Sequence, residues 1–221
     1  MSNILLSLDK KTLVVYVRKG LDHFFPDDLD SAVIEKYIDD VIERVACCFS
    51  AVHDRYFKKG SQTYFNHLNS DHYAMFLYFL SNTLYRNNED ERLCEKIFYL
   101  NKALHSIDVF YKVELPDIFL FCHPLGTVLG RAKYSDYFLV YQNCTIGSNH
   151  DVDYPVLGKY LALYRNASIL GKCKIGDNCK ISANSLVLDS DIESNKIYIG
   201  MPTNYIIKES RHHDRIWDPK M

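Results

Sequence analysis

The chain has 221 residues, 48% of them hydrophobic, with 26 Lys and Arg against 28 Asp and Glu and a formal net charge of −2. That content is enough for one large buried core or two small ones, and the balanced charge leaves no footprint for nucleic acid or an anionic membrane surface. The apolar stretches are short and interrupted by charge, so no membrane span is expected; the opening MSNILLSLDKK lacks a secretory pattern, and the expectation is a cytoplasmic protein.

Residues 1–20 fit no pattern, and TLVVYV suits a strand or the start of a helix equally. From Asp28, the apolar positions Leu29, Val33, Ile34, Tyr37, Ile38, Val41, Ile42, Val45 and Phe49 recur at helical spacing, with Asp27 or Asp28 placed to cap after Pro26. Two further helices are predicted, over 71–85 (Tyr73, Phe76, Leu77, Leu80, Leu84) and 89–104 (Leu93, Ile97, Leu100, Leu104). The RNNED turn between them is short and polar, which predicts antiparallel neighbours. Residues 1–105 therefore read as a helical domain.

Beyond it the period changes. From Leu157 the sequence divides into LGKYLA, LYRNAS, ILGKCK, IGDNCK and ISANSL, each block opening on an aliphatic residue, four of the five with a small residue at the fifth place. A period of six is neither helical nor an ordinary strand alternation; it fits a solenoid of short parallel strands with each aliphatic residue pointing inward. The register runs upstream through Cys122, Val128, Tyr134, Val140 and Ile146. Between Ile146 and Leu157 the spacing is eleven instead of twelve, and GSNHDVDYP reads as a loop thrown out of the coil, a common place for a binding face. The coil is expected over 106–210, with a polar tail at 211–221. The seven cysteines are odd in number and contain no CxxC pair, so they read as reduced thiols, Cys173 and Cys179 acting as small packing residues.

The stretches IDVFYKVELPDIFLFCHPLGTVLGRAKYSDYFLVYQNCTIG, DYPVLGKYLALYRNASILGKCKIGDNCKISANSLVL and IGMPTNYI resemble the hexapeptide-repeat acyltransferases, and within them the serine acetyltransferase-like branch, over about residues 72–210. The resemblance implies an α+β chain whose helical domain leads into a left-handed parallel β-helix. It also implies a homotrimer, with pairing of two trimers open, acetyl-CoA as donor, and an active site between neighbouring subunits. The branch's catalytic histidine matches His123 in HPLGTVLG, and its partner aspartate, fifteen residues earlier, matches Asp108. A hydroxyl attacking a thioester needs a base to take its proton, and imidazole has a suitable pKa. A carboxylate on the other ring nitrogen fixes the tautomer and stabilises the imidazolium.

The chain also departs from that branch. Cys122 stands where the enzymes carry an aspartate that helps hold serine, and the loop ends Asp153–Tyr154–Pro155 where they carry Arg-His-Pro. An acid and a phenol do not grip a carboxylate as a guanidinium does. The expected acceptor is therefore a hydroxyl of a sugar or polysaccharide precursor, met by Cys122, His150, Asp153 and Tyr154 beside Tyr134, Tyr137 and Tyr141. The alternatives are a divergent serine O-acetyltransferase, an amine acceptor, and a noncatalytic scaffold subunit. The resemblance places the coenzyme along Ala183, with Gly200 in the closing turn and Lys208 beyond it; Arg165 stands one coil earlier where a small residue is usual, and its expected role is to reach a phosphate instead. His123 and His150 lack the histidine partners of a metal-dependent coil enzyme, so no metal is expected.

Overall fold

The computed structural model describes residues 4–149 and 152–217. Its helices are α1 (Lys10–Phe24), α2 (Ile34–Ser50), α3 (Ser70–Arg86) and α4 (Glu91–His105). The TLVVYV segment is helical: Asp9 caps α1 by accepting from the Thr12 amide at 3.0 Å, and Leu13, Val14, Val17 and Leu21 form its buried stripe. Expectation and structure differ at the start of α2. Asp27 and Asp30 accept from the Leu29 and Ala32 amides, two residues on in each case, which shapes a loop, and the helix begins only at Ile34. The other two helices appear where their periodicity placed them, capped by Asn69 and Asp90 and packed against each other. A small sheet of β1 (Ile4–Leu6), β2 (Lys58–Lys59) and β3 (Gln62–Phe65), in the order β1-β3-β2, lies beside α2.

The coil is built from β4 (Phe119–Phe121), β5 (Val128–Leu129), β6 (Phe138–Val140), β7 (Thr145–Gly147), β8 (Val156–Leu157), β9 (Ala162–Leu163), β10 (Ser168–Leu170), β11 (Lys174–Ile175), β12 (Lys180–Ile181), β13 (Leu186–Leu188), β14 (Lys196–Met201) and β15 (Asn204–Glu209). They make three faces, β4-β6-β9-β12-β14, β5-β7-β10-β13 and β8-β11, parallel throughout, with β15 closing the first face as an antiparallel hairpin partner of β14. Each face stacks one buried residue per coil. Phe121, Val140, Leu163, Ile181 and Tyr198 line the first, Leu129, Ile146, Ile169 and Val187 the second, and Leu157, Ile175 and Ile192 the third.

This corrects the upstream register at two positions. The first inward residues are Phe121 and Leu129, not Cys122 and Val128, and Val128 is 41% exposed. Eight residues separate Phe121 from Leu129, where six separate Val140 from Ile146 and Ile181 from Val187. The corner between β4 and β5 thus carries two extra residues, and His123 lies inside it.

At the corresponding corners above, Asn143, Asn166 and Asn184 have φ of 56°, 59° and 60°, and Gly126 has φ 70° below them. Asparagine adopts this left-handed conformation more readily than other residues with a Cβ, and its amides can link neighbouring coils, as Asn166 Nδ2 does in donating to Asn184 Oδ1 at 2.8 Å. A second column holds Tyr137, Tyr160, Asn178 and Asn195, also left-handed. A tyrosine is costly there, and the two stack on each other at 4.2 Å. His213 extends the stack on Tyr160 at 3.9 Å, and Trp217 meets Tyr137 edge-on.

The polar tail is therefore docked as far as Trp217. Tyr164 donates its hydroxyl hydrogen to Asp214 at 2.9 Å, Trp217 is buried, and the His53 amide donates to the Ile216 carbonyl at 2.8 Å, joining the tail to the helical domain. The main seam is aromatic. Phe119 packs on Tyr78 and Phe79 of α3 at 5.6 and 5.1 Å, and the Tyr78 hydroxyl both donates to the Val113 carbonyl and accepts from the Leu115 amide. One buried apolar cluster runs through both domains.

Candidate active site

The inserted corner holds His123 with φ 50°, a strained value for a residue with a Cβ. Its side chain is 74% exposed. The position is held by Asp71 in the first turn of α3: the His123 amide donates to Asp71 Oδ2 at 3.1 Å, and ring Nδ1 lies 3.7 Å from the same oxygen. Asp71 is favoured there by the positive end of α3, and the Asn69 cap accepts from its amide at 3.0 Å. Burial pushes the Asp71 carboxyl up from its ordinary pKa, while the His123 amide and ring oppose that shift. The histidine expected from sequence thus has a carboxylate beside it, but the carboxylate belongs to a helix 52 residues earlier.

Asp108 does not meet it. Its backbone pairs with β5, the amide donating to Thr127 and the carbonyl accepting from Leu129, each at 2.9 Å, in register with Val128. Its carboxylate accepts from Lys102 Nζ at 2.6 Å, in the last turn of α4. No hydrogen bond or ion pair joins Asp108 to His123 among the described residues. The two side chains face different partners, Asp108 the Lys102 ammonium of α4 and His123 the Asp71 carboxylate of α3.

A cavity of about 110 Å³ opens beside the ring, lined by Ser70, Asp71, Leu104, His105, His123, Pro124 and Leu125. Sequence reasoning missed both Asp71 and His105. Asp71 is legible in the sequence only as the start of the helix over 71–85, and His105 lies one residue beyond the helix expected over 89–104. Larger cavities lie elsewhere, among them one of about 900 Å³ between the Asp27–Asp30 loop and α4 and one of about 580 Å³ under the tail, and neither of these is lined by His123.

Cys122 is half-buried, and burial, with the Asp71 charge adding to it, pushes its thiol up to about 11. It is a neutral thiol at pH 7 and does not replace the charge of an aspartate. In the loop, Asp153 and Tyr154 are half-buried, while His150 lies outside the described residues. Arg131, from the turn after β5, donates through Nη1 to the Tyr154 hydroxyl at 3.4 Å, with its guanidinium 5.9 Å from the ring centroid. A cation therefore stands beside Tyr154, supplied by the turn after β5.

Of the residues expected along the coenzyme, Arg165 is exposed and Ala183 half-buried; each directly precedes a left-handed asparagine at successive corners of the column that begins at the His123 corner. Gly200 has φ 124°, and a Cβ there would meet the Asn204 carbonyl and the Tyr205 Cα, so the β14–β15 turn requires glycine whatever else it does. Lys208 is exposed on β15, paired in register with Ile197. Among the described residues no group of three or more His, Cys, Asp or Glu side chains could hold a metal ion, and no helix is long and apolar enough to cross a membrane. The seven cysteines are free thiols.

No family model matches the chain. Over 114 residues it is 29% identical to a serine acetyltransferase of Synechococcus elongatus, a match covering 50% of this chain and 46% of that protein. Over 150 residues it is 25% identical to the serine acetyltransferase of Staphylococcus epidermidis, covering 66% of this chain and 70% of the relative. The chain thus spans less than half the length of the first of these relatives. The fold is similar to the crystal structure of serine acetyltransferase in complex with coenzyme A from Brucella abortus, with a TM-score of 0.71, 17% identity, and coverage of 94% of this chain and 84% of that one. The six-residue register, the helical region before it and these likenesses agree: the chain has the fold of the serine acetyltransferases, a helical N-terminal region followed by a left-handed parallel β-helix, and is similar to them in sequence.

Proposed function

We propose that the chain transfers the acetyl group of acetyl-CoA to the hydroxyl of a small acceptor, as a divergent serine O-acetyltransferase, with His123 as general base. The observation that carries this reading is the exposed imidazole at the inserted corner with Asp71 on its Nδ1 side. A proton on Nδ1 directed at Asp71 leaves the Nε2 lone pair to take the acceptor's proton as its oxygen attacks the thioester, and the carboxylate stabilises the imidazolium that forms. Coenzyme A bound to the Brucella abortus protein supports the donor. Arg165 and Ala183 lie along the corner column where the donor would run, and a second subunit of a trimer would wall the exposed side of His123.

The acceptor expected from the altered loop was a saccharide. Two observations favour serine instead: the relatives are serine acetyltransferases, and Arg131 supplies a cation beside Tyr154. The test is thiol release from acetyl-CoA with L-serine and with a panel of sugars and nucleotide sugars. Turnover with L-serine is expected, falling by about 10² to 10⁴ in His123→Ala, and Asp71→Asn should cost more than Asp108→Asn. Full turnover in His123→Ala would overturn the mechanism, and transfer to a sugar but not to L-serine would return the saccharide reading.

A further inference from the structure

His105 closes α4, is 8% exposed, and lines the same cavity as Asp71 and His123. Its Nδ1 lies 2.8 Å from Asn101 Oδ1, one helical turn earlier. Asn101 in turn donates from Nδ2 to the Ala74 carbonyl of α3 at 2.9 Å, which fixes the orientation of the amide. Since Oδ1 can only accept, Nδ1 carries the proton. Nε2 is then a lone-pair acceptor, and no described residue bonds to it. Burial also holds the ring neutral, pushing its pKa down to about 4.

The polar wall of the cavity is accordingly rich in acceptors: the Asp71 carboxylate, His105 Nε2 and the His123 ring, with the Ser70 hydroxyl able to play either part. No lysine or arginine lines it, and Lys102 on the same helix is bonded to Asp108. Such a wall is satisfied by a ligand that brings several protons and a positive charge. We propose that His105 is a positioning residue for the acceptor, which it holds through Nε2 together with Asp71, and that the group it receives is the ammonium of a small amino alcohol whose hydroxyl faces His123. This rests on the reading of His123 as the base.

The test uses the full chain. In His105→Phe, which keeps an aromatic ring against Tyr73 and removes the lone pair, KM for L-serine should rise at least about tenfold, the value of one hydrogen bond to a charged group. kcat and KM for acetyl-CoA should stay within about twofold of wild type. His105→Gln, which offers a carbonyl acceptor, should recover part of the loss. An unchanged KM for L-serine in folded His105→Phe overturns the proposal.

A second readout does not depend on activity or on a folded variant. In wild-type protein labelled with ¹⁵N-histidine, L-serine and ethanolamine should move the His105 Nε2 resonance away from its lone-pair position, and glycerol should not. No response to either amine, or an equal response to glycerol, overturns the proposal. If wild type releases no thiol with L-serine, the functional reading fails, and the resonance still decides what His105 binds.

Discussion

The helical domain and the coil bury their cores by different rules, and the candidate site stands where the two meet. In the helices each backbone amide is satisfied within its own segment, so a helix is free to sit wherever its apolar stripe finds a partner; α3, with both faces covered, buries every residue from His72 to Leu84. In the coil the amides bond to the next coil, as in Ser168 to Ser185 and Ala162 to Cys179. Each residue is then tied to the one about eighteen positions away, and a change of length in one coil has to be absorbed at a corner. The lesson lies in where tolerance is found. The regular upper coils offer asparagine corners and little else, whereas the first complete coil, backed by α3, accommodates a corner two residues longer and presents His123 from it.

The seam residue offers the largest test of whether these two regions fold as one. Phe119 is fully buried between α3 and the coil, so Phe119→Ala should cost about 3–5 kcal/mol. If the continuous core makes a single cooperative unit, denaturant unfolding will show one shifted transition by both helical circular dichroism and Trp217 fluorescence. Two separated transitions would mean that helices and coil are independent.

Acid should separate the regions next. His72, ringed by Phe49, Phe57 and Phe65, and His105 are both held neutral, with pKa values pushed down to about 4 by burial, and both belong to the helical domain. Between pH 4 and 6.5 the unfolded chain binds these protons and the folded chain does not. Each histidine therefore contributes nothing adverse above pH 6.5 and lowers stability as pH falls, by about 3 kcal/mol apiece at the lower end. The measurement is stability against pH, with His72→Phe expected to flatten that slope by about half; an unaltered slope would show that His72 titrates normally.

The smallest effect concerns a cap. Asn69→Ala should cost about 1 kcal/mol, since the Asn69 side chain accepts from the Asp71 and His72 amides at the start of α3. If the site depends on that helix end, turnover with L-serine should fall by more than the loss of folded protein explains. A loss confined to stability would show that Asp71 is held by the rest of α3 alone.

Periodicity by itself determined the two-part architecture, because 3.6-residue and six-residue patterns answer to different local geometries that no tertiary contact has to announce. It placed α3, α4 and the inward residues from Val140 to Ile181, and the resemblance of HPLGTVLG to the branch's motif pointed to His123. The start of α2 and the helical state of TLVVYV escaped it, since Asx turns and a cap at Asp9 compete locally with apolar spacing. What only the tertiary structure decided is which groups surround His123. Asp71, His105 and Leu104 come from two helices, and Arg131 reaches Tyr154 from 23 residues away. The length of the β4–β5 corner is visible only once Phe121 and Leu129 are seen to be the buried pair, and the pairing of Asp108 with Lys102 only in the folded chain. Side chains meet at a site by packing and chain closure, which set distances between positions remote in sequence, and no local pattern carries that information.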